Sequence, residues 1–442
     1  MNIKELQDIV RENGVVGAGG AGFPTYVKLD ERADTILMNC AECEPLLKLH
    51  RQLLEKHAYE ITKTFSMMAD AVGAEKAIIC VKKEYEATIW ALEQCIGEFP
   101  KVRIHLLPGV YPMGDEIVMI YEATGKIVKP GGLPINEGVA VFNVETVYNI
   151  YRAVEKHHPV TDKVVSVVAE VSDPVSVRVP LGCTIREVAA LAGHVTVKDP
   201  VYFVGGPMMG NIGRADAPVT KTTNAILVLP GDHLLVEKKR TKASISLKRA
   251  ASICCQCQMC TDLCPRHALG HPIQPHLFMR AASNKDFQDL NPFVNTHFCS
   301  SCGVCELYAC PQGLAPRSLM AEYKAGLRSA GVKPPKDPSV TPVQPSRELR
   351  KVPEHRLEAR LGLSKYNVDA PLKDEVVQMG KVRILLGQHI GAPAKPVVKE
   401  GDMVEVGQMI GKPADGLSVG IHASISGKVV EADASHVTIQ KA

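Results

Sequence analysis

Apolar residues recur along this chain at two spacings, and the changes of spacing divide it. Ile3, Leu6, Ile9 and Val10 repeat at helical intervals, as do several positions across 53–72. Short apolar runs at 77–81 and 102–107 have the length and composition of buried strands. Helix and strand patterns alternating in this way predict an α/β sheet domain over residues 1–158. Next, apolar runs at 164–171 and 175–179 flank Ser172-Asp173-Pro174, which predicts a hairpin. A short helix at 184–192 and a closing strand at 225–229 complete a small α+β module, residues 159–238. The stretch 331–355 is rich in proline and charge (Pro334, Pro335, Pro338, Pro342, Pro345, Pro353), so residues 329–372 read as a linker with a helix. From 373 to 442 short β-type runs alternate with glycines, including Gly387, Gly391, Gly401 and Gly407, which predicts a small β-sandwich or barrel.

Composition narrows the function classes. Of 442 residues, 45% are apolar and 22% charged, an ordinary globular balance. The net charge of +3 removes any general electrostatic case for nucleic-acid binding. No run approaches the roughly 20 apolar residues of a membrane span, and residues 1–14 lack the apolar core of a signal peptide. Of 14 cysteines, eight fall in two tight runs, a pattern of thiolate ligands in a reducing, cytoplasmic compartment.

The first run is Cys254-x2-Cys257-x2-Cys260-x3-Cys264-Pro265. Three thiolates on one loop reach three corners of one iron–sulfur cubane, and the fourth, before proline, ligates the other. The second run, Cys299-x2-Cys302-x2-Cys305-x4-Cys310-Pro311, has a last gap one residue longer. A bacterial-type module with two [4Fe-4S] clusters is therefore expected over residues 245–328. One cluster takes Cys254, Cys257, Cys260 and Cys310, and the other Cys299, Cys302, Cys305 and Cys264. Structural zinc is the competing reading, but zinc sites pair separated Cys-x2-Cys knuckles. Cys255 breaks the ligand spacing. Cys40, Cys43, Cys80, Cys95 and Cys183 read as small buried residues.

Gly17, Gly19, Gly20 and Gly22 include a G-x-G-x-x-G, with Glu42 further on. A dinucleotide fingerprint should follow a strand, whereas here a helical pattern precedes it and Phe23-Pro24-Thr25 follows. An anion-cradling loop of another kind fits better. The loop Gly17–Lys28 resembles the flavin-binding loop of the NADH-oxidising flavoprotein subunit of respiratory complex I. Asn39-x-x-Glu42-x-Glu44-Pro45, Tyr111-x-x-Gly114-Asp115-Glu116 and Asn143-Val144-Glu145-Thr146 resemble further segments of that subunit, in the same order. Together with the cysteine runs, Gln388-His389-Ile390-Gly391-Ala392-Pro393 resembles the RnfC-type subunit of the Rnf complex, where the corresponding segment precedes the clusters. The order found here is similar to that of the cobalamin-reductase family of propanediol-utilisation microcompartments.

The resemblance implies a multidomain α/β and α+β chain: an FMN- and NADH-binding domain, an SLBB domain of β-grasp fold, the 2[4Fe-4S] ferredoxin-like domain and a C-terminal barrel-sandwich hybrid. It implies that Gly17, Gly19 and Gly20 let the backbone approach FMN, that Lys28, Asn39 and Glu42 contact it, that Tyr111, Gly114 and Glu116 line the opposite wall, and that Asn143 and Thr146 hold the phosphate. Ala41 replaces an acidic residue of the complex I motif. Phe23 and Glu44 fall where that family places NADH. Read without the resemblance, Tyr111 is a core tyrosine, Glu42 and Glu44 are solvated and Asn143 is a turn residue. The C-terminal module resembles lipoyl and biotinyl carriers but has no Met-Lys-Met or Asp-Lys-Ala, so docking is expected of it. No side-chain acid, base or nucleophile is expected. The implied activity is electron transfer from NADH through FMN and two clusters to cobalamin, taking cob(III)alamin to cob(II)alamin and cob(I)alamin for a corrinoid adenosyltransferase, inside a microcompartment with shell-protein contacts. The alternatives are an Rnf-type component of a membrane complex, and a relay protein that binds no NADH. Residues 1–12 are a candidate encapsulation helix, or simply pack on their own domain.

Overall fold

The computed structural model describes residues 1–441. The N-terminal unit is built on a parallel sheet in the spatial order Val102–Leu107, Lys76–Lys82, Thr35–Cys40, Val139–Asn143. A parallel sheet covered on both faces needs near-continuous apolar strands. Ile36, Met38, Ile79 and Phe142 face the helices Ile3–Glu12, Ala58–Val72 and Val144–Glu155, while Leu37, Cys80 and Val141 face the helix Glu116–Thr124. Two expectations change. Val102–Leu107 is an outer strand, with Leu106 53% exposed, because it has a neighbour on one side only. The helical pattern across 53–72 belongs to two helices, Leu49–Lys56 and Ala58–Val72, which part at His57, where the backbone is non-helical.

The candidate encapsulation helix is committed to this unit. Leu6 and Val10 are buried in its core, Asn2 and Glu5 close a capping box, and Arg11 donates to the Ala414 carbonyl at 3.0 Å.

The second unit is a mixed sheet whose first strand, Asp162–Ala169, pairs antiparallel with Val175–Pro180 as the expected hairpin and parallel with Ala225–Pro230. Thr184 caps the helix Ile185–Ala190 with Glu187. A central parallel pair flanked by hairpins is the arrangement a β-grasp module requires.

The third unit packs the helices Ala243–Ile253, Pro275–Asn284 and Pro316–Ser329 around Phe278, Phe293 and Tyr323, whose rings meet edge-on or stacked.

The proline-rich stretch is a linker only at its start. The Thr341 and Gln344 N–H groups donate to the Gly270 and Ala268 carbonyls, and Val352–Pro353 pairs antiparallel with Val110–Tyr111 of the first unit. The helix Glu354–Arg360 follows, and Leu372–Val376 then adds a parallel edge strand to the second unit's sheet. That strand crosses the expected 372/373 boundary. Proline fixes an extended backbone but does not determine whether that backbone lies against a surface, so composition alone reads a bound strap as a tether.

The C-terminal unit sets Lys381–Leu385, His436–Gln440, Gly427–Ala432 and Met403–Val404 against a smaller sheet containing Met409–Lys412. Its filling, Ile384, Ile410, Val429 and Ile439, is continuous with Val165, Val177 and Ile226 of the second unit. The two units are therefore one packed body.

Candidate functional site

The glycine loop lies beyond the carboxyl ends of the parallel strands, the usual ligand position in such sheets. A bridge between Val16 and Pro24 closes it, and the Gly17 N–H donates to the Phe23 carbonyl at 2.9 Å. The Thr146 hydroxyl accepts from the Ala18 N–H at 3.0 Å and donates to the Val16 carbonyl at 3.2 Å. Asn143 caps the helix Val144–Glu155 by accepting from the Glu145 N–H at 2.9 Å. A Cβ on Gly19 would stand 2.6 Å from Asn143 Nδ2, so the loop comes directly over that helix N-terminus. Gly19 and Gly20 remain exposed. Gly22, at φ 72°, touches the second and fourth units, and its carbonyl accepts from the Ile390 N–H at 3.2 Å.

The other expected residues divide into two groups. Lys28 donates to Glu116 at 2.8 Å and to the Val141 carbonyl at 3.1 Å, while Asn39 Nδ2 donates to the Gly114 carbonyl at 3.0 Å. These four pair with one another beside the loop. The second group turns away. Glu42 accepts from the His50 and Arg51 N–H groups at 2.9 and 3.0 Å, at the start of Leu49–Lys56. Glu44 accepts from Met208 and Met209 at 2.8 and 3.1 Å, and burial pushes its carboxyl up to about 7. The Tyr111 hydroxyl donates to the Cys302 carbonyl at 2.6 Å. Phe23 is half-buried at the loop's end.

Several residues at this site have no signature in the sequence. His50 lies 3.6 Å from both Glu42 and Glu145, with Nε2 unpartnered. Lys82, buried at the end of its strand, donates to the Glu42 carbonyl at 2.6 Å and pairs with Glu354 from the strap. Burial holds the Glu354 carboxyl above the usual range despite that lysine. Glu145 pairs with buried Lys163; burial opposes its charge, but Lys163 and His50 hold it down at about 2. Lys221 donates only to the carbonyls of Gly14 and Gly420, at 2.6 and 3.1 Å.

The cysteines gather in two places. Cys254, Cys257, Cys260 and Cys310 line one hollow enclosing ≈ 370 Å³ of atom-free space, and Cys264, Cys299, Cys302 and Cys305 line another of ≈ 320 Å³. Each hollow draws on both runs. The Ser301 and Leu314 N–H groups donate to the sulfurs of Cys299 and Cys310, both at 3.3 Å. Gln256, Gln258 and Ser301 take left-handed backbone (φ 54°, 64° and 62°), which curls the loops inward. The longer gap before Cys310 is taken up by a π-helical turn, Val304–Ala309, which accommodates one more residue than an α turn. Among the described residues, no three Cys, His, Asp or Glu side chains converge as for a single metal ion. The donor set and the room at each hollow fit a cubane better than a lone zinc.

Comparisons with known proteins define the class. Residues 10–152 match the Nuo51 FMN-binding domain, 253–315 a 4Fe-4S dicluster domain, and 367–442 the RnfC barrel sandwich hybrid domain. The fold is thus that of a flavoprotein joined to an iron–sulfur module. The chain is 42% identical over 439 residues to the cobalamin reductase PduS of Citrobacter freundii, covering 98% of this chain and 96% of that one. PduS of Salmonella typhimurium is likewise 42% identical, over 441 residues. The chain belongs to the PduS family. The RnfC-type component of the ion-translocating oxidoreductase complex of Edwardsiella ictaluri is 32% identical over 270 residues, which cover 60% of this chain and 32% of that one. An NAD+-reducing [NiFe]-hydrogenase structure superposes with a TM-score of 0.50 at 21% identity, over 76% of this chain and 68% of the other, a likeness of fold.

Proposed function

We propose that this chain is an NADH-dependent flavo-iron-sulfur reductase of cobalamin, acting on cob(III)alamin and cob(II)alamin. The observation that carries this is structural continuity. One continuous chain places a glycine loop over a helix N-terminus and, beside it, two four-cysteine hollows. Near-full-length identity to cobalamin reductases supports the choice of substrate.

Bound FMN supplies hydride acceptance and single-electron release, and iron–sulfur clusters supply single-electron passage. The residues provide the seats. Gly17, Gly19 and Gly20 leave the main chain bare for the flavin. Asn143, the helix N-terminus behind it and the loop pinned by Thr146 suit the phosphate. Lys28, Glu116, Asn39 and Gly114 form the adjoining wall, which Glu42 and Tyr111 support from behind. Phe23 and Glu44 are assigned to the nicotinamide side; both oxygens of Glu44 are committed to Met208 and Met209, so its part there is to shape that loop. Each hollow holds one [4Fe-4S] cluster. Cob(I)alamin passes to a corrinoid adenosyltransferase, and the setting is a propanediol-utilisation microcompartment.

The Rnf-type alternative is weaker, since this chain spans about a third of that relative, with the barrel at the opposite end. No described helix is long and apolar enough to cross a membrane. Anaerobically reconstituted protein tests the reading. NADH should bleach the flavin, and cob(III)alamin should then reoxidise the protein. A flavin that NADH cannot bleach makes the chain a relay protein; bleaching without reoxidation by either cobalamin refutes the substrate.

A further inference from the structure

The two cysteine sets stand in opposite relations to the flavin-type domain. The loops carrying Cys264, Cys299, Cys302 and Cys305 are built into its wall at three points. Tyr111, 3% exposed, donates its hydroxyl to the Cys302 carbonyl at 2.6 Å. Arg266, two residues beyond Cys264, pairs with Asp115 at 2.9 Å, and Asp115 caps the helix Glu116–Thr124. Gly303, between Cys302 and Cys305, sits against Met208, since a Cβ there would stand 3.3 Å from its carbonyl oxygen. The Met208 N–H is in turn held by Glu44 at 2.8 Å. Glu44, Tyr111 and Asp115 are thus neighbours of this one set.

The other set faces outward. Cys255, Cys257 and Gln258 are exposed, and the Gln256 side chain donates to its own neighbour, the Cys254 sulfur, at 3.2 Å. Cys310 meets Arg360 of the strap, whose guanidinium donates to its carbonyl at 3.3 Å.

We infer that the sets act in series. Cys264, Cys299, Cys302 and Cys305 hold the iron that takes electrons from the flavin. Cys254, Cys257, Cys260 and Cys310 hold the iron that releases them at the exposed loop 255–258 to a one-electron acceptor. Electron tunnelling falls steeply with distance, so the set fixed to the flavin wall is reduced first. This order rests on the flavin reading above. The balance is NADH to NAD+, one proton and two electrons, which travel in two single passages. In each passage the inner set is reduced, then reoxidised as the outer set is reduced, and the outer set is reoxidised by the acceptor.

The full chain, reconstituted anaerobically as Cys302→Ala and as Cys257→Ala, tests this. Iron content and the dithionite-reduced electron paramagnetic resonance spectrum establish that the untouched set is loaded in each. The flavin is then reduced by NADH and, separately, by light with EDTA, so that loss of nicotinamide binding shows as a difference between reductants. In Cys257→Ala the inner set should still be reduced by the flavin while cob(III)alamin reduction is lost. In Cys302→Ala the outer set should stay oxidised although the flavin is bleached. Rapid reduction of the outer set in Cys302→Ala overturns the order. Tyr111→Phe removes one hydroxyl and leaves the ring, so folding is spared. It should alter the spectrum of the inner set and slow its reduction, leaving the outer set's spectrum unchanged; equal effects on both sets overturn the inference.

Discussion

Replacing Gly19 and Gly20 separately by alanine distinguishes the structural task of the loop from its ligand task. Gly19 is not in the left-handed region, so alanine brings no backbone strain. Its Cβ would, however, stand 2.6 Å from Asn143 Nδ2 and 3.0 Å from Cγ, too close to keep. Asn143 must swing away and give up its bond to the Glu145 N–H. Loss of an N-cap costs about 1 kcal/mol, which lowers the melting temperature of a unit of roughly 150–250 residues by about 2–4 °C. If Asn143 also holds the flavin phosphate, a hydrogen bond to a charged group worth about 1.5–3 kcal/mol is lost, and the FMN Kd rises roughly 10–100-fold. Gly20 has nothing within 4 Å of its notional Cβ. Gly20→Ala should therefore leave the melting temperature of the flavin-free protein unchanged and still weaken FMN, because the methyl occupies the bare face of the loop. Scanning fluorimetry without FMN and titration of FMN fluorescence measure the two effects. Wild-type FMN affinity in Gly20→Ala would refute the flavin seat, and an unchanged melting temperature in Gly19→Ala would refute the packing of Asn143 against the loop.

Three further outcomes are expected. Cys264→Ala and Cys310→Ala should each reduce iron from about eight to about four per chain and remove different spectral components, because the two residues line different hollows. Lys82→Met leaves Glu354 buried without its cation and should lower stability in urea by about 3–5 kcal/mol; adding Glu354→Leu should recover most of that loss, and no recovery would contradict the pairing. Burial pushes the Lys221 ammonium down to about 7. Above that pH the folded chain binds fewer protons than the unfolded one, so stability should climb from about pH 7 toward the unfolded value near 10.4. Lys221→Met should flatten that climb in urea titrations at successive pH values.

Local features of the site were legible in the sequence. The cysteine spacing is imposed by a cubane reached from one loop, the glycines by close approach of backbone, and the hairpin at Ser172–Pro174 by its turn residues. Features made by distant pairs were not. Lys82 meets a carboxylate 272 residues away and Tyr111 a carbonyl 191 residues away, and neither pairing leaves a periodicity in the chain. Glu42 and Glu44 were expected as ligand contacts, yet one caps a helix and the other holds a loop of the second unit. Carboxylates serve both purposes, and only the partners decide. The longer Cys305–Cys310 gap looked like a departure from the pattern, whereas a π turn absorbs it locally.

The strap bears on the order of synthesis. The ribosome makes Lys82 and Tyr111 early, but Glu354 and Val352, which cover them, emerge only after most of the chain. At about 5–20 residues per second, the 272 residues between Lys82 and Glu354 take about 14–54 s. Throughout that interval the N-terminal domain holds a lysine without its carboxylate and a sheet edge without its partner strand. The ferredoxin-like cysteines are complete before the strap arrives, so the inner hollow is open to iron delivery while the chain is still being made, and the strap closes over a site that loading has already had time to reach.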